Sequence, residues 1–205
     1  MDLRPDRAAA PGTAAVRAVI RVRAVPWPHG PAEQSAAGRA AAAEALAAAG
    51  STERTVPRGP GGRPRFPPGF PGSISHTGRL AVAVVVPGAE AVGIDVEDAV
   101  VTARTARFVL GERERRTLLA PAGPYPPREL FAAKEAAFKA LSGTGDTPDG
   151  LPFWRIGLNR SGGRLTARYG GRSVPVWTRS RTDHSLALAI RRRPAHLALI
   201  GDGKP

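Results

Sequence analysis

Gly38-Arg39-Ala40-Ala41-Ala42-Ala43-Glu44-Ala45-Leu46 and Ala133-Lys134-Glu135-Ala136-Ala137-Phe138-Lys139-Ala140-Leu141 are two alanine-rich stretches from opposite halves of the chain, and they resemble each other. Each stands in the same company. Ser75-His76 precedes the apolar run Leu80 to Val86, and Asp183-His184 precedes Leu186 to Ile190. Alanine-rich helices look alike in any protein, but the matching histidine and strand favour an internal duplication. A duplicated helix beside duplicated strands predicts an α+β fold, a pseudo-twofold pair of similar halves, each an antiparallel sheet packed against a helix.

Outward from these stretches, Ala14 to Val25 alternates, with Val16, Ala18, Ile20, Val22 and Ala24 on one face and Arg17, Arg21 and Arg23 on the other. That is the pattern of a half-buried strand. The helix holding Arg39 is predicted over Ala32 to Ala49 and is stopped by Gly50. Ser51 to Gly72 is crowded with Pro and Gly and reads as an ordered, irregular loop. Leu80 to Val86 and Ala91 to Val96 read as strands joined at Pro87-Gly88. Helices follow near Arg104 to Leu110, Glu112 to Leu119 and Pro127 to Leu141, then a strand meander from Phe153 to Arg191 with turns at Ser161-Gly162-Gly163 and Gly170-Gly171. The organisation expected is a flexible N-terminus at 1–15, two halves at 16–100 and 101–191, and a C-terminal tail at 192–205.

The chain has 205 residues, no cysteine and a formal net charge of +13. Without cysteine there are no disulfides, no thiolate metal sites and no cysteine nucleophile. No apolar run is long enough for a membrane span, and arginines interrupt the first apolar segment, so the expectation is a cytoplasmic protein without membrane attachment. The excess of positive charge points to an anionic partner: nucleic acid, a phosphorylated cofactor or an acidic protein.

Three carboxylates carry the chemistry. Asp95 and Glu97 are two apart on a strand, so both leave the same face, and two like charges so close favour a cation between them. A solvated strand end is the alternative. Phe131, Glu135 and Phe138 follow an i, i+4, i+7 spacing that places Glu135 on a stripe with two aromatic rings expected to be buried. An inward carboxylate needs a partner, and a metal held by Asp95 and Glu97 provides one. The competing reading is a surface Glu135–Lys139 ion pair on an ordinary amphipathic helix. Ser75 and His76 end a loop and begin a strand, where neighbours point to opposite faces, so they do not form a catalytic dyad and suit phosphate binding better. Oxygen ligands of this kind suit Mg²⁺, with Mn²⁺ accepted by the same donors, and the whole set fits metal-assisted chemistry on a phosphate ester.

The segments Ser73-Ile74-Ser75-His76, Gly93-Ile94-Asp95-Val96-Glu97 and Phe131 to Ala140, in this order, resemble the signature of the 4′-phosphopantetheinyl transferases, in particular the larger single-chain type that activates enterobactin, surfactin and polyketide synthases. Gly62-Arg63-Pro64-Arg65-Phe66-Pro67 adds the loop that precedes Ser-x-Ser-His in that family. The resemblance implies transfer of the phosphopantetheine arm of coenzyme A to a serine of an apo acyl or peptidyl carrier protein, with release of adenosine 3′,5′-bisphosphate. It further implies that Asp95, Glu97 and Glu135 hold the metal, that Glu135, Lys139 and Asp95 are catalytic, and that Ser75, His76, Lys134 and Lys139 bind coenzyme A phosphates. Arg39 and Arg63 are its candidates for the 3′-phosphate. The partner is expected to be an acidic carrier domain met by a monomer, and no nucleic acid. A Mg²⁺-dependent nuclease and a non-catalytic nucleic-acid binder are the rival functions; neither explains Ser73 to His76 or the loop at Gly62 to Pro67, and a binder should interleave aromatic with basic residues.

Overall fold

The computed structural model describes residues 17–142 and 152–192. The expected flexible N-terminus, all of the tail except Arg192, and Val16 of the first strand lie outside the described residues. Strand β1 (Val19–Ala24) leads to helix α1 (Pro31–Ala48), strands β2 (Gly72–His76), β3 (Leu80–Val85) and β4 (Ala91–Glu97), and the short helices α2 (Ala103–Val109) and α3 (Glu112–Thr117). Helix α4 (Pro127–Ser142) follows, and then β5 (Gly157–Ser161), β6 (Arg164–Tyr169), β7 (Arg172–Ser180) and β8 (Ser185–Arg191).

The strands form two antiparallel sheets, ordered β1-β3-β2 and β4-β8-β7-β6-β5. In each, the first strand pairs with the last, and the last pairs with the strand before it. The correspondence β1 with β4, α1 with α4, β2 with β7 and β3 with β8 therefore bears out the duplicated α+β reading, with the β5–β6 hairpin added to the second half. The expected boundary at residue 100 falls in the wrong place. β4 pairs with β8 along its whole length, from Ala91 opposite Arg191 to Glu97 opposite Ser185, so the second unit begins after Val86.

Side-chain size sets the layering. On β3, Ala81, Ala83 and Val85 are buried on one face and Val82 and Val84 on the other. The first face meets α1 through Ala41, Ala42, Ala45 and Leu46. The second joins Val92, Ile94 and Val96 of β4 and Leu186, Leu188 and Ile190 of β8 in a core between the sheets. β8 repeats the device, with Ala187 and Ala189 beneath α4 and the bulky residues turned inward. Small residues under each helix let its backbone approach closely, while branched residues fill the central layer. Both strands are covered on both faces, which is why they read as unbroken apolar runs.

β1 departs from its expected alternation. Val19 is buried toward α1 and Ile20 packs on the inter-sheet core, whereas Val22 is 48% exposed and Ala24 lies open. β1 is an edge strand, and its far end runs past both cores.

Candidate active site

Gly93 is the pivot of the site. A Cβ there would sit 1.9 Å from the carbonyl oxygen of Ala136, so only glycine lets α4 lie directly across β4. Asp95 and Glu97 follow on the same face of β4 as Gly93 and are carried under the helix turn that bears Glu135 and Lys139. The structure thus brings together Asp95, Glu97, Glu135 and Lys139.

Asp95 is 3% exposed. Its Oδ1 accepts from the Lys139 ammonium at 2.7 Å and from the Ser75 hydroxyl at 2.8 Å, while Oδ2 is buried with no hydrogen-bond partner. Lys139 also donates to the Ile94 carbonyl at 3.0 Å. The Glu135–Lys139 surface pair of the competing reading is therefore not the one formed; Gly93 seats the helix so close that the lysine reaches the strand instead. Burial first, then the negative charge of Asp95 and a hydrogen bond with it, and then Glu135 push the Glu97 carboxyl from its ordinary value up to about 7, with Lys139 opposing. Glu135 is shifted upward too, by burial and by Asp95, with Lys139 opposing.

Ser73 and Ser75 stitch the two sheets. β2 and β4 lie side by side without a backbone ladder, and the serine hydroxyls accept from the Ile94 and Val96 amides at 3.1 and 3.3 Å. The edge of β4 is thereby satisfied without a neighbouring strand. Ser75, expected to bind phosphate, is instead buried and committed to Asp95 and Val96. Ser75 and His76, expected to begin a strand, instead close β2, with His76 exposed as its last residue. Ile74, on the same side of the strand, packs so tightly against α1 that a Cβ on Gly38 would meet it at 2.8 Å.

Lys134 is the clearest correction. It is fully buried, donating to the Val109 carbonyl at 2.6 Å and to Glu114 Oε2 at 2.9 Å, so it does not reach phosphate from this position. Burial lowers its pKa against the opposing effect of Glu114. Glu114 also accepts from the Gly111 and Leu158 amides, tying α3 to α4 and β5. Nothing in Glu112-Arg113-Glu114-Arg115-Arg116 marks its third residue as buried except the spacing from Gly111, the pattern of a helix cap. Phe131 and Phe138 are half-buried rather than core, packed edge-on against Phe153 at 5.5 and 6.4 Å, because the deeply buried stripe of α4 is its alanine face.

Arg39 and Arg63 are not brought to a common partner. Arg39 donates to the Ser35 hydroxyl at 2.5 Å, and there Arg58, unnoticed in the sequence, joins it at 3.1 Å. Arg63 crosses between the halves to the Ser142 carbonyl at the end of α4, 3.0 Å away. An open cleft of about 560 Å³ at the β6–β7 turn, lined by Arg155, Arg168, Tyr169 and Arg172, contains none of the proposed site residues.

Among the described residues, no group of three or more His, Asp or Glu side chains stands in place to hold a metal ion. The donor set nonetheless fits a hard divalent cation. One oxygen of Asp95 is buried without a protein donor, and Glu97 and Glu135 crowd against it. Beyond burial, that crowding pushes the Glu97 carboxyl up to about 7, and it is a repulsion that a cation between them would relieve.

The sequence of both halves has counterparts among known proteins. The 4′-phosphopantetheinyl transferase N-terminal domain model matches residues 32–86, and the 4′-phosphopantetheinyl transferase superfamily model matches residues 91–191. The chain belongs to that superfamily. It is 38% identical over 112 residues to enterobactin synthase component D of Salmonella typhimurium and 37% identical over 112 residues to that of Salmonella typhi. Each alignment takes in 52% of this chain and 46% of the relative, so the chain spans about half the length of the curated relatives it matches. Among the described residues no helix is long and apolar enough to cross a membrane.

Proposed function

We propose that this protein transfers the 4′-phosphopantetheine arm of coenzyme A to a serine hydroxyl of an apo acyl or peptidyl carrier protein. The observation that carries the reading is the convergence of Asp95, Glu97, Glu135 and Lys139 where α4 crosses β4. The serine oxygen forms a bond to the β-phosphorus of coenzyme A, the bond from that phosphorus to the bridging oxygen breaks, and adenosine 3′,5′-bisphosphate leaves. Glu135, half-buried with a raised pKa, accepts the serine proton. Lys139 places an ammonium beside Asp95, where it offsets charge on the cluster and on an arriving phosphate. Asp95, Glu97 and Glu135 would hold Mg²⁺ or Mn²⁺, which when bound supplies charge neutralisation for the pyrophosphate.

His76 and the Arg39–Arg58 pair at Ser35 are proposed to contact coenzyme A phosphates; Arg63 serves chiefly to tie the preceding loop to α4. Lys134 and Ser75 act by holding α4 and Asp95 in place. The basic surface steers an acidic carrier toward the site.

The test is incubation with coenzyme A and Mg²⁺ in the presence of a panel of apo carrier domains, and in parallel with DNA and RNA. A carrier whose mass rises by one phosphopantetheine group, with the nucleic acids intact, is the expected result. Cleaved nucleic acid with every carrier unmodified overturns it in favour of phosphodiester hydrolysis.

A further inference from the structure

From Arg155 to Arg181 the chain holds seven arginines and no Asp or Glu. The fold gathers three of them. Arg155 ends the short turn before β5, Arg168 lies near the end of β6 and Arg172 opens β7, and together they line the open cleft of about 560 Å³ at the β6–β7 turn. None of the residues lining that cleft is acidic. Arg155 and Arg168 are exposed and Arg172 is half-buried. Like charges lining one cavity repel, and an anion between them relieves the repulsion.

The shape suits a ligand as well. Tyr169 and Arg172 stand opposite each other across a turn made of Gly170 and Gly171 alone, with φ of 55° and 77°. Two glycines in this conformation make the tightest hairpin turn and put no side chain over the cleft. Its volume lies in the range of small-molecule sites, and half-buried Tyr169 gives it an aromatic wall. Arg172 and Ser173 also border a second opening that continues past Pro175 and Ile190. There Glu90 already answers Arg191 at 2.6 Å, whereas the first cleft has no carboxylate to answer its arginines.

The cleft is remote from the catalytic residues. Ser180, at the far end of β7, pairs with Ser185, which stands opposite Glu97 on β4. Arg172 and Ser180 are the two ends of a nine-residue strand, so the cleft lies about 26 Å from the end of the sheet that bears Glu97. The β5–β6 hairpin that supplies Arg168 has no counterpart in the first half.

We propose that this cleft is a second anion site, separate from the catalytic one, that binds small ligands carrying two or three linked phosphates. Guanidinium groups take phosphate oxygens in bidentate pairs, and three of them around one cavity offset the charge of a diphosphate. A nucleoside diphosphate and free pyrophosphate share this chemistry. The site is independent of the transfer reading.

The test is titration calorimetry with ADP and, in parallel, with inorganic pyrophosphate. It compares wild type with Arg155→Ser/Arg168→Ser and with Arg39→Ser/Arg58→Ser in the other half of the molecule. Wild type should bind pyrophosphate saturably, and more weakly as salt rises. Arg155→Ser/Arg168→Ser should lose about tenfold or more in pyrophosphate affinity, with coenzyme A affinity and thermal midpoint at wild-type values, because both side chains are exposed. Arg39→Ser/Arg58→Ser should keep the pyrophosphate affinity. With these results, tighter binding of ADP than of pyrophosphate identifies a nucleotide as the ligand, and the reverse a free polyphosphate. Absence of saturable binding in wild type overturns the site, and so does an unchanged affinity in Arg155→Ser/Arg168→Ser. A parallel fall in coenzyme A affinity overturns its separateness and assigns the cleft to the coenzyme. Affinity for single-stranded oligonucleotides that exceeds that for ADP and grows with length overturns it in favour of a nucleic-acid surface.

Discussion

Asp95 is asked to do two things at once, and its two oxygens divide the work. Oδ1 is held by Lys139 and Ser75, which fixes the side chain, and Oδ2 is left open to a cation. Asp95→Asn keeps the shape but supplies only one acceptor oxygen and no charge. It should abolish carrier modification and also lower stability by about 1–3 kcal/mol, because the part-buried Lys139 loses its counter-ion. Carrier mass and thermal unfolding read the two effects separately. Glu135→Gln differs in that the side chain has no such anchoring role. It should retain the thermal midpoint and lose transfer by about 10²–10⁴, measured as carrier modification rate. Glu97 gives a pH signature. Its folded pKa, about 7, lies above its unfolded value, so the folded state binds more protons than the unfolded one between these limits. In the chelated protein this carboxylate should therefore contribute a loss of stability as pH rises from about 4.5 to about 7. Glu97→Gln should flatten that part of the profile in scanning calorimetry, and added Mg²⁺ should offset the loss in wild type.

At the scale of elements, the contact of α4 with β4 controls whether those residues meet at all. Gly93→Ala demands that the helix backbone retreat, since a methyl group cannot share space with the Ala136 carbonyl. The expected outcome is destabilisation of at least about 1–3 kcal/mol together with loss of activity, even though no catalytic side chain changes. Urea unfolding and transfer rate check both. The buried Lys134–Glu114 pair holds the middle of the same helix, one residue from Glu135. Glu114→Ala would leave a buried ammonium without its counter-charge and with only the Val109 carbonyl to accept from it, and the Gly111 and Leu158 amides without their acceptor, so a loss of about 3–5 kcal/mol is expected. Arg128, at the start of α4, gathers the Ser185 hydroxyl and the carbonyls of Asp98, Arg181, Thr182 and Asp183, binding the helix to the turn between β7 and β8. The helix is thus clamped near both the ends of the strands it crosses and its own N-terminus, which restricts the geometry available to Glu135.

For the whole molecule, the two halves share one inter-sheet core and one seam, so neither is complete alone. Val82 and Val84 of the first half are buried against Ile94, Leu186 and Leu188 of the second. Ser73 and Ser75 supply the acceptors that β4 would otherwise lack. Ser73→Ala/Ser75→Ala should cost about 1–3 kcal/mol for each buried amide left unpaired, and should loosen Asp95 as well. Because the halves are joined through this core, unfolding followed by the fluorescence of Trp27, Trp154 and Trp177 and by far-ultraviolet circular dichroism should give one coincident transition; two separated transitions would show independently stable halves.

The duplication, the strand and helix pattern and the carboxylates were legible because they rest on local periodicity and spacing: alanine-rich helices, continuous apolar runs, and an Asp-x-Glu whose side chains must share a face. The family resemblance was carried by the same short motifs. What periodicity cannot express is which long side chain reaches which partner. Lys134 and Lys139 are both lysines on one helix, yet one is sealed beside Glu114 and the other reaches Asp95, because Gly93 and the alanine face fix the rotation and depth of α4. Ser75 left the phosphate-binding role for the seam, and Arg58 replaced Arg63 beside Arg39, for the same reason: each depends on contacts between segments far apart in the chain. The sequence by itself determined the two halves and the residue types of the site. The tertiary packing decided which of those residues face one another, since burial and hydrogen-bond satisfaction are settled only when helix and sheet are placed together.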